Sequence, residues 1–181
     1  MKDTGKVTHA IRRRAVFGLA GAVAIAGATT RPARAAGLAM PQGKVVLSVS
    51  GLIKQTNKDG AAELDMAMLE AIGTASFTTS TPWYNAPVTF SGVPLRKLLE
   101  FLGATGTTLT VYALNDYKTD IPIADTTTFP VLLATKRDGA YMPVRDKGPL
   151  FIVYPYDSDP NLKHQIYYSR SAWQVARMVV R

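Results

Sequence analysis

The chain has 181 residues, a formal net charge of +8 and no cysteine. That length supports one domain with a real core, and the missing thiols exclude disulfides, thiolate nucleophiles and thiolate metal ligands. The charge is uneven: residues 1–35 hold seven basic residues and one acid, and removing them from 21 and 13 leaves 14 and 12, a net of +2, too balanced for a duplex nucleic-acid footprint.

Residues 1–35 have the anatomy of an export signal. A basic region ends in Arg12-Arg13-Arg14, and an apolar run over 15–28 follows. Spanning a bilayer takes about twenty residues, so this run is short for a membrane anchor, which is the alternative. Ala33-Arg34-Ala35 places small residues where a signal peptidase reads, and cleavage is expected after Ala35. The paired arginines before Phe17-Gly18-Leu19 resemble a twin-arginine signal, although Ile11 stands where Ser or Thr is usual. The expected mature domain is 36–181, in the periplasm.

Residues 44–50 (KVVLSVS) read as a strand, and Asn57-Lys58-Asp59-Gly60 as a turn. Over 61–72, Leu64, Met68, Ala71 and Ile72 share one side at helical spacing, with Gly73 as the cap. Residues 74–81 form a Thr-rich strand closed by Pro82, which presents Trp83-Tyr84; a second strand covers 88–90. Pro94 then opens the clearest helix, whose stripe is Leu95, Leu98, Leu99 and Leu102, ended by Gly103. Strands are predicted over 107–114 and 117–123, separated by Asn115-Asp116, and another apolar run covers 129–135.

Residues 138–157 (DGAYMPVRDKGPLFIVYPYD) read as a hairpin followed by the most deeply buried strand, 150–154, which Pro155 ends. Arg145, Asp146 and Lys147 sit on the short connection before it. A polar loop over 157–164 leads to Ile166-Tyr167-Tyr168, and Val175, Val179 and Val180 favour a final strand over 173–180. Many short strands with two helices describe one α+β domain. His164 is the single histidine outside the leader, too few for a multi-histidine zinc site, and no G-x-S-x-G supports a serine triad.

The segments SGVPLRKLLEFLG, VYALNDYKTDIPI, LLATKRDGAYMPVRDKGPLFIVYP and SRSAWQVARMVV, in that order, resemble the molybdopterin-binding domain of the sulfite oxidase type. The resemblance spans residues 77–180 and implies an α+β fold built on a mixed sheet. It also implies a pterin or molybdopterin cofactor. Active members of that family ligate molybdenum through a cysteine in the strand before the G-x-P-L helix; here the matching position falls near Thr79 or Ser80. A hydroxyl is far harder to ionise than a thiol of pKa about 8.5, so molybdenum is doubtful. The chain is similar instead to compact exported members thought to bind a pterin without metal and to act beside membrane signalling proteins.

A pterin presents a flat ring, adjacent N–H donors and a carbonyl. Trp83 is the expected stacking face, with a core tryptophan as the alternative. Asp116, before Tyr117, is placed opposite the donors, or serves as an ordinary turn residue. Arg145 and Arg170 are placed on the carbonyl or a phosphate, or else in surface ion pairs. Tyr117 and Ser171 complete the expected site, Ser169 offers a further donor, and Trp173 is expected in the core. Three functions follow: a non-catalytic exported binder that relays ligand occupancy to a membrane signalling partner, which is preferred; a molybdopterin-dependent oxidoreductase; and an interaction domain without ligand.

Overall fold

In the computed structural model, residues 37–181 and Met1 are described; the expected export signal and its cleavage point lie outside the described residues. Two five-stranded sheets share one core. The first contains β1 (Val45–Gly51), β2 (Ala62–Asp65), β5 (Thr108–Ala113), β6 (Lys118–Pro122) and β10 (Val175–Val180), in the order β2-β1-β10-β5-β6. β1 and β10 run parallel and the other pairs antiparallel, so the sheet is mixed as the resemblance implies. Period-2 alternation turns Leu47 and Val49 of β1 inward, with Met178 and Val180 of β10 buried beside them.

The second sheet contains β3 (Ala75–Thr81), β4 (Tyr84–Pro94), β7 (Leu132–Arg137) and β8 (Ala140–Tyr141) in chain order, with β9 (Phe151–Val153) paired to β7. All three residues of β9 are buried, as the unbroken apolar run before Pro155 predicts. Gly92 explains the glycine of the G-x-P-L motif. A Cβ there would lie 2.6 Å from Ala134 Cα and closer still to the Leu133 carbonyl oxygen, so β4 and β7 approach too closely for a side chain.

Among the helices are α1 (Met66–Ala71), α2 (Leu95–Phe101), α3 (Asp125–Thr128) and α4 (Gln165–Arg170). The leucine stripe of α2 is buried as expected, including Leu102 just past its end. The helix predicted over 61–72 is corrected: its first half is strand β2, antiparallel to β1. Asp65 divides the two elements by capping α1, its carboxylate accepting from the Met68 N–H at 2.8 Å and from the Gly43 N–H at 2.7 Å. The strand expected over 88–90 is longer, because β3 and β4 form one hairpin whose tip is Pro82-Trp83. α3 and α4 carry no apolar stripe long enough to announce them. Among the described residues, no helix is long and apolar enough to cross a membrane.

Candidate functional site

The β3–β4 hairpin drives Trp83 into a cluster of rings. Trp83 meets Phe151 at 5.4 Å, Trp173 at 5.6 Å, Tyr168 at 6.1 Å and Tyr156 at 6.2 Å, each edge-on. Such contacts fix a ring's orientation as well as its depth. Beside it lies a cavity of about 320 Å³, walled by Trp83, Trp173 and Tyr168 and edged by Asn115, Tyr117, Gln165 and Ser169. That volume is at the low end for small-ligand sites, about 300–1,000 Å³, and suits a single flat heterocycle.

Three elements supply the polar edge. The β5–β6 turn divides its side chains: Asn115 and Tyr117 line the cavity, while Leu114, Asp116 and Lys118 line a second depression. Tyr117 is pinned there, its hydroxyl donating to the Ser169 carbonyl at 2.7 Å. On α4, Gln165, Tyr168 and Ser169 stand at i, i+3 and i+4 and share the cavity-facing side. The Gln165 amide donates to Ser169 Oγ at 3.4 Å. Ser171 follows the helix, and its hydroxyl is committed, donating to the Tyr167 carbonyl at 2.9 Å and meeting the Tyr156 hydroxyl.

Of the six expected site residues, the structure brings together Trp83, Tyr117 and Ser171. It does not place the other three at the cavity. Asp116 adopts a left-handed backbone (φ 64°) at the turn and lines the opposite depression. Arg145 is exposed on a short 3₁₀ turn, Val144–Asp146, away from the cavity lining. Arg170 lies on the far side of α4 from Gln165 and Tyr168, where it donates to Asp125 Oδ2 at 2.8 Å. Asp125 also accepts from the Tyr154 hydroxyl at 2.7 Å. Burial and that carboxylate together push the Tyr154 hydroxyl far above its ordinary pKa, so it stays a donor. Trp173, expected in the core, packs there with one side on the cavity.

Asn115, Gln165 and Tyr168 are absent from the sequence-based site. Asn115 lies in the turn between β5 and β6, where no regular period marks which side chains face the cavity. Gln165 and Tyr168 become visible only once residues 165–170 are known to be helical.

The strand position that the resemblance assigns to a thiolate is occupied by fully engaged hydroxyls. Thr79 is buried, and its Oγ1 accepts from the Asp157 N–H at 3.1 Å. Ser80 Oγ donates to Asp157 Oδ1 at 2.6 Å, and the same carboxylate pairs with Lys163 at 2.7 Å. These partners hold the Asp157 carboxyl well below the usual carboxylate range, Lys163 contributing most and Ser80 next. Among the described residues, no three His, Cys, Asp or Glu side chains gather as metal ligands do.

Residues 44–157 match the model of the oxidoreductase molybdopterin-binding domain. The chain belongs to that family. The match covers Trp83, Asn115 and Tyr117 and ends before α4, so this domain's helical wall falls outside the matched stretch. No curated protein matches the sequence. Among solved structures, the domain is similar to the sulfane dehydrogenase SoxCD from Paracoccus pantotrophus, with a TM-score of 0.56 and 17% identity over 74% of this chain and 37% of that one. The chain therefore spans little more than a third of that protein chain, and the likeness shows the sulfite oxidase-type α+β fold.

The family implies a molybdopterin cofactor, and the cavity fits one part of it. Trp83, Trp173 and Tyr168 would hold the fused ring, while the amides of Asn115 and Gln165 can offer both donors and acceptors to its edge. At the strand position that the resemblance assigns to a metal ligand, the Thr79 and Ser80 oxygens are committed to Asp157, which also pairs with Lys163.

Proposed function

We propose that this molybdopterin-binding domain protein holds a pterin or molybdopterin without turning over substrate, in the periplasm, and that ligand occupancy is read by a membrane signalling partner. The observation that carries this reading is the pairing of two features. An aromatic cavity with amide edges is built around Trp83, and the strand position that the resemblance assigns to a metal ligand carries hydroxyls bound to Asp157. Stacking contributes about 1–3 kcal/mol per ring. Hydrogen bonds at a desolvated edge contribute about 0.5–1.5 kcal/mol each. A preformed cavity loses little of this to ordering, so affinity near the micromolar range, about −8 kcal/mol, is within reach.

Export rests on residues 1–35, with cleavage after Ala35 leaving residues 36–181 as the mature protein. The competing reading, a molybdopterin-dependent oxidoreductase, is favoured by family membership. One preparation separates the two. Protein purified from the periplasm is assayed for acid-released pterin fluorescence and for molybdenum on the same sample. Pterin near one equivalent with far less metal is expected. Molybdenum near one equivalent would overturn the non-catalytic reading, and neither, with no binding of added reduced pterins, would remove the pterin.

A further inference from the structure

A second surface lies on the other side of the β5–β6 turn. Arg177 of β10, Tyr112 of β5 and Lys118 of β6 are direct cross-strand partners in one row. The Arg177 guanidinium stacks 3.6 Å from the Tyr112 ring centre and Lys118 Nζ lies 5.8 Å from it. Arg181 donates to the Tyr112 hydroxyl at 3.5 Å. None of these three cations forms an ion pair among the described residues, whereas Lys58, Arg96, Lys136, Arg137, Lys163 and Arg170 all do. Asp116 is the single acid lining the depression they border.

An apolar basin adjoins this row and shares Leu114 and Ala176 with it. At its rim, Leu114 is 54% exposed, Val144 50% and Val45 38%. Gln174 fastens the two exposed tips together: its carbonyl accepts from the Leu114 N–H at 2.9 Å, and its side chain donates to the Val144 carbonyl at 2.7 Å. It directly follows Trp173, a wall of the ring cavity.

We infer that this joined surface docks an acidic segment of a partner protein, with an apolar side chain seated between Leu114 and Val144 and flanking carboxylates on Arg177 and Lys118. An apolar centre with a charged rim is how protein interfaces are built. Arg177 and Lys118 rise from β10 and β6 with β5 between them, so their backbones stand two strand spacings of about 4.8 Å apart, a span that suits two carboxylates of an extended segment. The turn that offers Leu114 to the partner also offers Asn115 and Tyr117 to the cavity. Transmission of occupancy through that turn rests on the pterin reading above; the docking itself does not.

The test is selection of a random displayed peptide library on the periplasmic protein. Enriched peptides are expected to carry carboxylates around an apolar residue, and to lose at least about tenfold in affinity with Arg177→Glu and with Leu114→Asp. Their binding should also weaken as salt rises. Lys118→Glu, at an exposed position of an edge strand, gives a second variant should either of the first fail to fold by circular dichroism. Enrichment of peptides without acids, or binding indifferent to Arg177→Glu and Lys118→Glu, overturns the inference. So does a dimer in sedimentation that Leu114→Asp dissolves, since that assigns the face to a second copy. Reduced pterin is titrated into the same samples: peptide binding without pterin binding removes the earlier reading and leaves the docking surface standing.

Discussion

Trp83, the ring expected to stack on a ligand, packs edge-on against four other aromatic side chains. Trp83→Ala is therefore expected to weaken reduced-pterin binding by about 5- to 150-fold by isothermal titration, the scale of a lost stack of about 1–3 kcal/mol. It should also lower the thermal midpoint, because a void opens in the cluster. Trp83→Phe keeps part of the packing and separates the two effects; unchanged affinity in both variants would take Trp83 out of the site. Arg170 behaves in the opposite way. It and Asp125 are only 17% and 13% exposed, and Asp125 also serves Tyr154. Arg170→Ala should cost about 1–3 kcal/mol in urea unfolding while leaving pterin affinity within twofold. The difference between these residues shows what sequence reading could reach. A tryptophan after a strand-ending proline is exceptional in any register, whereas an arginine's role depends on which side of a helix it occupies.

The elements were legible where periodicity is strong. The leucine stripe of α2 and the apolar run of β9 announce themselves because burial on one side or both dictates their composition. The helical spacing over 61–72 hides β2 because four residues are too few for period 2 to outweigh it, and the division falls at one side chain, Asp65. α4 is six residues long and polar on its cavity side, so no apolar stripe marks it. The β4–β7 pair gives an element-scale prediction. Gly92→Ala has no room for its Cβ against the β7 backbone, so strand pairing must open. A severe drop in thermal midpoint or in soluble yield is expected; a wild-type midpoint would show that the strands can separate freely.

For the whole molecule, Asp157 links the hairpin carrying Trp83 to the loop before α4, through Ser80 on one side and Lys163 on the other. Its carboxyl titrates below the usual range in the folded protein, so the unfolded chain binds a proton first as pH falls. Its contribution is thus complete above the unfolded value, about 3.9, and is lost as pH drops through the folded one. Asp65 acts in the same direction, held down chiefly by the N–H groups of Met68 and Gly43. Urea midpoints measured from about pH 5 downward should fall steadily, and Asp157→Asn should flatten that fall; an unaltered slope would disconnect Asp157 from acid stability.

Sequence alone determined the family resemblance, the α+β class and the lack of thiols, because the order of motifs and the residue content carry all of these. Only the tertiary structure decided which polar groups meet. Asn115 and Tyr117 reach the cavity while Asp116 turns from it, and Gln165 faces in while Arg170 pairs with Asp125. The physical reason is direction. A sequence records which side chains exist, but the pleat of a strand and the turn of a helix decide where each one points.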